Sequence, residues 1–251
     1  MLPHINPQWK TVWITGASTG IGRELALQLA ATGVKVAASA RSVEKLQNLG
    51  NNVFALPLDV TNASAAKETV EKIENQLGPI DLTIFAAGTY SEVAATEIDP
   101  KLFAAIMSTN YLGTVNCIAA ILPKMLVRKQ GHISWIASVT AYRGLPKAAA
   151  YGPSKAALLS LAESLKPELD LKGISISVIN PGFVATPMTA KNDFPMPFLM
   201  QPKHAAERTL NGLADKKFEI TYPTRLVLIL KFARLLPYNL YFWLIKKFIL
   251  R

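Results

Sequence analysis

The segment TGASTGIG, Thr15–Gly22, follows the apolar run TVWI and leads into IGRELALQLAATG, whose apolar residues recur with helical spacing up to Gly33. A strand that turns into a helix through Gly16, Gly20 and Gly22 gains two properties at once. Glycine lets the backbone turn tightly and approach a ligand closely. The first helical turn offers free N–H groups and the positive end of the helix dipole. Such a junction suits a pyrophosphate, gripped by Gly16, Ser18, Thr19, Gly20, Ile21 and Gly22.

Outward from this junction the same alternation continues. VKVAASAR, NVFALPLDV, IDLTIFAAG, GHISWIAS and ISISVINPG read as strands, with helices near 63–77, 101–128 and 152–170 between them. KFEITYP adds a last strand near 217–223. The runs are apolar without strict alternation, as in strands of a parallel sheet covered on both faces. Strand and helix in turn predict an α/β, doubly wound fold of about seven parallel strands. Pro167 is expected to break a hydrogen bond and bend the helix it sits in, whereas Pro153 falls in a first turn that tolerates it.

A chain of 251 residues, half of them apolar and 18% charged, can bury a full core. One Rossmann-type domain is expected over 1–224 and a helical extension over 225–251. The single Cys117 cannot form an internal disulfide, which fits a reducing compartment. MLPHINPQWK has no cationic end followed by an apolar stretch, so no signal peptide is expected there and the localisation expected is cytoplasmic. Six of the basic residues lie between Arg225 and Arg251, where no acid stands, and taking them from the net +10 leaves +4 for the body. The body has no basic stripe interleaved with aromatics, so no nucleic-acid partner is expected. His4, His132 and His204 lack metal-ligand spacing, so no metal is expected either.

In such a sheet ligands bind beyond the carboxyl ends of the strands. AYGPSKAAL, 150–158, puts Tyr151 and Lys155 on one helical face four residues apart. With Thr15–Gly22, Asp59, Asn110, Ser138 and NPGFVATPM from Asn180, in that order, this set resembles the short-chain dehydrogenase/reductase family over roughly residues 9–222. The resemblance implies that Tyr151 is the general acid/base for a substrate oxygen. It implies that Lys155, together with the nicotinamide positive charge, lowers the phenol pKa, that Lys155 holds the nicotinamide ribose, and that Ser138 hydrogen-bonds the substrate carbonyl. Asn110 would order a water linking Lys155 to solvent. It further implies that Asp59 and Val60 meet the adenine, that Ala87 and Gly88 allow close approach, that Pro181, Gly182 and Val184 line the nicotinamide, and that Thr186 holds its carboxamide.

The coenzyme is read from the second strand. NAD enzymes carry an acid at its end for the ribose 2′-hydroxyl. Here the strand ends in Ala40 and Arg41 follows, and a guanidinium suits a 2′-phosphate. NADP is therefore expected, with NADPH favoured over NADH. The family usually shows Asn-Asn-Ala-Gly where this chain has Phe85-Ala86-Ala87-Gly88, so two bracing amides are missing and local rigidity is expected to suffer.

PMTAKNDFPMPFLMQP, 187–202, should cover the site, and its Met, Phe and Pro suggest an apolar carbonyl or alcohol substrate. The expected activity is hydride transfer between NADP and such a substrate. The alternatives are a 3-oxoacyl-carrier-protein reductase and, in another class, a non-catalytic dinucleotide sensor or membrane-tethered interaction protein. The resemblance implies a homodimer or homotetramer through the helices near 101–128 and 152–170. In the tail, Pro237 should divide two short helices. On the second, Asn239, Lys246, Lys247 and Arg251 fall within an arc of roughly 140°. That layout predicts peripheral association of 225–251 with a membrane surface.

Overall fold

The computed structural model describes residues 5–47, 49–50 and 52–250. Seven strands form one parallel sheet: β1 (Thr11–Thr15), β2 (Lys35–Ala40), β3 (Val53–Pro57), β4 (Leu82–Phe85), β5 (Gly131–Ile136), β6 (Ile174–Pro181) and β7 (Glu219–Tyr222). Their order is β3-β2-β1-β4-β5-β6-β7. Every strand pair is parallel, because a helix crosses over between each strand and the next. The direction of winding reverses between β1 and β4, and a crevice opens there at the carboxyl edge.

Helices α1 (Gly20–Ala30), α2 (Val43–Gln47), α3 (Ala63–Leu77), α4 (Pro100–Met107), α5 (Gly113–Arg128), α6 (Tyr151–Asp170) and α7 (Pro202–Ala214) flank the sheet. One face of the sheet carries the core of Trp13, Phe85, Ile121, Trp135 and Val178 under α3, α5 and α6. The other buries Val12, Ile14, Leu25, Leu29 and Leu210 under α1 and α7. Cys117 is a packed member of the first core, and burial pushes its thiol up to about 12. It is inert filling rather than a reactive group.

Two features depart from the sequence reading. The helix near 101–128 is not uniform: a π-helical stretch, Ser108–Leu112, joins α4 to α5 and turns Asn110 inward. Helix α7 is not among the helices read from the sequence. It buries Ala205, Ala206, Thr209 and Leu213, whose mostly small side chains give a weak apolar period. As the sequence reading has it, α6 runs on past Pro167 to Asp170. Pro167 and Glu163, whose carbonyl loses its partner, are both exposed, so water takes the freed group and the helix does not end.

Beyond β7 the chain forms α8 (Thr224–Leu235) and α9 (Tyr238–Phe248), with Pro237 between them. Among the described residues one helical run, Pro100–Arg128, is long and apolar enough to cross a membrane, but Ile106, Cys117, Ile118, Ile121 and Met125 on it are buried in the protein.

Candidate active site

The crevice at the β1/β4 switch point holds about 420 Å³. At its floor, Gly16 has φ +67° and Gly20 φ +58°. A Cβ on Gly16 would stand 2.6 Å from the backbone of Ala86 and Ala87, so the turn after β1 lies directly against the chain leaving β4. A Cβ on Gly22 would stand 2.5 Å from the Gly16 carbonyl, which packs the start of α1 onto the turn. Thr19, which precedes α1, gives no side-chain cap, so the first-turn N–H groups face the crevice unclaimed by it. A cradle that a single methyl would fill, facing a helix N-terminus, fits a dinucleotide pyrophosphate.

At one end of the crevice, Arg41 follows β2 and faces Asp59. The Asp59 carboxylate accepts from the Thr61 N–H at 3.0 Å and the Thr61 hydroxyl at 2.8 Å. These bonds, then the charge of Arg41, hold its carboxyl below the usual range. Ser42 and Lys45 line the same end. Sequence reasoning missed both, and the signal was present in the run ARSVEK, whose second cation falls one turn into α2. At the other end stand Pro181, Gly182, Val184, Thr186, Met188 and Thr189. Thr186 closes over the glycine turn, since a Cβ on Gly20 would meet its methyl at 2.9 Å.

Between the two ends β5 and α6 deliver Ser138, Tyr151 and Lys155. Ser138 caps a short 3-10 turn, Val139–Ala141, and its hydroxyl accepts from Thr140 N–H at 3.2 Å and acts to lower the Tyr151 phenol pKa. Tyr151 opens α6, edge-on to the Tyr90 ring at 5.2 Å. Lys155, one turn on, is buried and donates to the Ile136 carbonyl at 2.8 Å, with its ammonium 5.5 Å from the Tyr151 ring centre.

Two of these residues sit in settings that the sequence does not show. From the protein alone, burial pushes the Tyr151 phenol up to about 12, against the pull of the Ser138 hydroxyl; the nicotinamide charge expected to lower it comes with the dinucleotide. Burial also drives Lys155 down to about 8, because loss of water disfavours its charge. Asn110 does not line the crevice. Its amide is spent on the protein, accepting from Thr89 N–H at 2.7 Å and donating to Thr89 O at 3.0 Å and Ser154 Oγ at 2.9 Å. Asn110 therefore ties the loop after β4 to the first turn of α6 and positions Tyr151 and Lys155 from behind. The remaining residues read from the sequence, namely Gly16, Ser18, Thr19, Gly20, Ile21, Gly22, Arg41, Asp59, Val60, Ala87 and Gly88 on the dinucleotide side, all line one crevice.

The missing amides after β4 are replaced by packing. Phe85 is buried and meets Trp13 edge-on at 5.3 Å, while Ala86 N–H bonds the Thr15 carbonyl at 3.1 Å. Over the site, Lys147 pairs with Glu92 at 3.2 Å and Asp193 at 2.7 Å, pinning the covering segment to the loop after β4. His132 bonds Ser177 within the sheet at 2.8 Å, and His204 meets Glu207 on the surface of α7. His4 lies outside the described residues.

The short chain dehydrogenase family profile matches residues 10–195. An uncharacterized oxidoreductase of Myxococcus xanthus is 37% identical over 240 residues, covering 93% of this chain and 95% of that protein. A solved short chain dehydrogenase from Burkholderia cenocepacia, in complex with NADP, superposes with TM-score 0.79 at 27% identity, covering 87% of this chain and 90% of that one. A second, from Burkholderia phymatum in complex with NAD, superposes with TM-score 0.83 at 21% identity over 91% and 94% of the two chains, a likeness of fold alone.

Proposed function

The chain belongs to the short-chain dehydrogenase/reductase family, whose members are NAD(P)-dependent oxidoreductases, and on that premise we propose that it reduces apolar carbonyls with NADPH. One observation carries the reading: Ser138, Tyr151 and Lys155 converge beside the glycine turn in a single crevice. When bound, the dinucleotide supplies or accepts the hydride. The residues do the rest. Ser138 holds the carbonyl oxygen, and Tyr151 donates its proton to that oxygen as charge develops there, which its high pKa keeps available at neutral pH. Lys155 holds the ribose and steadies the phenolate left behind. Met188 and the apolar cover shield the reacting atoms from water.

NADP is favoured by Arg41, Ser42 and Lys45, which gather at the adenosine end where an NAD enzyme would place an acid. The test uses carbonyls of graded chain length, free and bound to acyl carrier protein, with either coenzyme. Turnover should rise with chain length and prefer NADPH. Arg41→Ala should raise the KM for NADPH about 10- to 100-fold and leave NADH nearly unchanged, as expected for one charge-assisted bond of about 1.5–3 kcal/mol. Equal loss for both coenzymes would dismiss Arg41 as the discriminator. Activity confined to carrier-bound substrates would favour a 3-oxoacyl-carrier-protein reductase, whose acidic partner the basic surface would attract.

A homodimer or homotetramer belongs to the same proposal. Leu112, Leu126 and Val127 leave an exposed apolar strip along the helical run that includes α5. Light scattering at micromolar concentration should give two or four copies, and a monomer would count against the assembly. Cytoplasmic localisation with peripheral membrane contact through 225–251 completes the proposal.

A further inference from the structure

Helices α8 and α9 close the chain at the carboxyl edge of the sheet, where the crevice opens. Their inner side is firmly seated. Leu226, Val227 and Tyr241 are buried, and a Cβ on Gly182 would stand 2.8 Å from the Leu226 side chain. Arg143 supplies a clamp. It lies in the loop between Ser138 and Tyr151, and its Nη1 donates to the carbonyls of Ala233, Arg234 and Leu236 at the end of α8. They lie at the end of α8, where carbonyls run short of internal donors, although Ala233 O also accepts from the Leu236 N–H at 3.3 Å. Its guanidinium also stands 4.0 Å above the Tyr241 ring and 5.1 Å from that of Tyr238. The Tyr241 hydroxyl in turn donates to the Gly144 carbonyl. The helix pair is thus fastened to the segment that carries Ser138 and Tyr151.

The outer side has the opposite character. Leu228, Phe232, Leu235, Phe242, Trp243 and Phe248 are each between 52% and 80% exposed. Arg225, Arg234, Lys246 and Lys247 stand among them with no carboxylate in the segment, and among the described residues only Lys231 of this tail forms an ion pair, with Glu219. Arg251 lies outside the described residues. Helices of 12 and 11 residues are too short to span a bilayer. A second copy would be a poor occupant, because two-fold pairing of this surface sets cations against cations with no acid to relieve them. Anionic headgroups relieve them, and the aromatics suit the boundary beneath.

We propose that α8 and α9 seat the protein on an anionic bilayer surface, and that Arg143 clamps the catalytic segment to that seat so that the crevice draws its carbonyl substrate from the lipid. The choice of substrate source rests on the hydride-transfer reading above; the seat itself does not.

The full chain is floated with vesicles of phosphatidylcholine, with and without phosphatidylglycerol. It should bind the anionic vesicles, with a blue shift of tryptophan emission that the Trp243→Leu variant lacks, and should leave them as salt is raised. The Phe232→Glu/Phe242→Glu variant should lose binding at least tenfold while retaining turnover of a short, water-soluble carbonyl. Arg143→Ala should still bind vesicles, with an unchanged KM for the soluble carbonyl and a several-fold higher KM for a long-chain carbonyl dissolved in the bilayer. An equal change in both KM values would remove the clamp. A full chain that ignores anionic vesicles, or a Phe232→Glu/Phe242→Glu variant that turns an oligomer into monomers, would overturn the seat. Vesicle binding without turnover of any carbonyl would instead strike the redox reading and leave the seat standing.

Discussion

Tyr151→Phe should lower kcat for carbonyl reduction by about a thousandfold, within the range of 10²–10⁴ usual for removing a general acid, while NADPH still binds. The ring keeps its place against Tyr90, and only the hydroxyl is lost. The reacting oxygen then has no proton donor, since Lys155 is engaged with the Ile136 carbonyl. A direct titration tests the same group without turnover. Burial pushes the phenol up to about 12, so subtracting the Tyr151→Phe spectrum from wild type should show no tyrosinate below pH 10 in the free protein. Saturating NADP⁺ brings a positive ring beside the phenol and should draw the signal downward. Turnover within tenfold of wild type, or an unaltered difference spectrum with NADP⁺, would remove Tyr151 from the chemistry.

That Tyr151 and Lys155 belong together is legible in the sequence because a helix converts four residues of separation into one shared face. The glycine turn is legible for a related reason: at Gly16 only the residue without a Cβ fits against Ala86, so the constraint is written as a residue type. The parallel, doubly wound sheet is legible from the alternation of strands and helices, because a right-handed crossover leaves few alternatives. The bonds of the Asn110 side chain were not legible, because a π-helical turn has no compositional signature. Within that turn the amide bonds Thr89 and Ser154. The depth at which Tyr151 sits was not legible for a different reason. Spacing shows the nearby cation but not the depth of burial, and burial is the larger effect. The grip of Arg143 on α8 joins residues 90 and more positions apart, and nothing local to either partner marks it.

Lys155→Met should make the protein more stable at neutral pH and nearly inactive. The ammonium is buried, 4% exposed, and its pKa falls from 10.5 to about 8. A lysine whose folded pKa is depressed costs stability wherever it is charged in the unfolded chain but disfavoured in the folded one. The cost is absent above pH 10.5, grows as pH falls and is complete below about 8. A depression of this size amounts to about 3 kcal/mol at pH 7. Methionine fills the same volume without charge, and depriving the Ile136 carbonyl of its donor returns about 1 kcal/mol. The net gain should be about 2 kcal/mol, or roughly 5 °C in Tm for a domain of this size. Near pH 11 the sign should reverse, because the wild type then pays nothing for charge and the variant still lacks the hydrogen bond. Turnover should fall by two orders of magnitude or more if Lys155 holds the ribose and steadies the phenolate as proposed above. Thermal melts of both proteins at pH 7 and pH 10.5 check the stability half, and NADPH-dependent reduction the other. A variant that is less stable than wild type at pH 7 would show that the surroundings of the ammonium outweigh the cost of its burial.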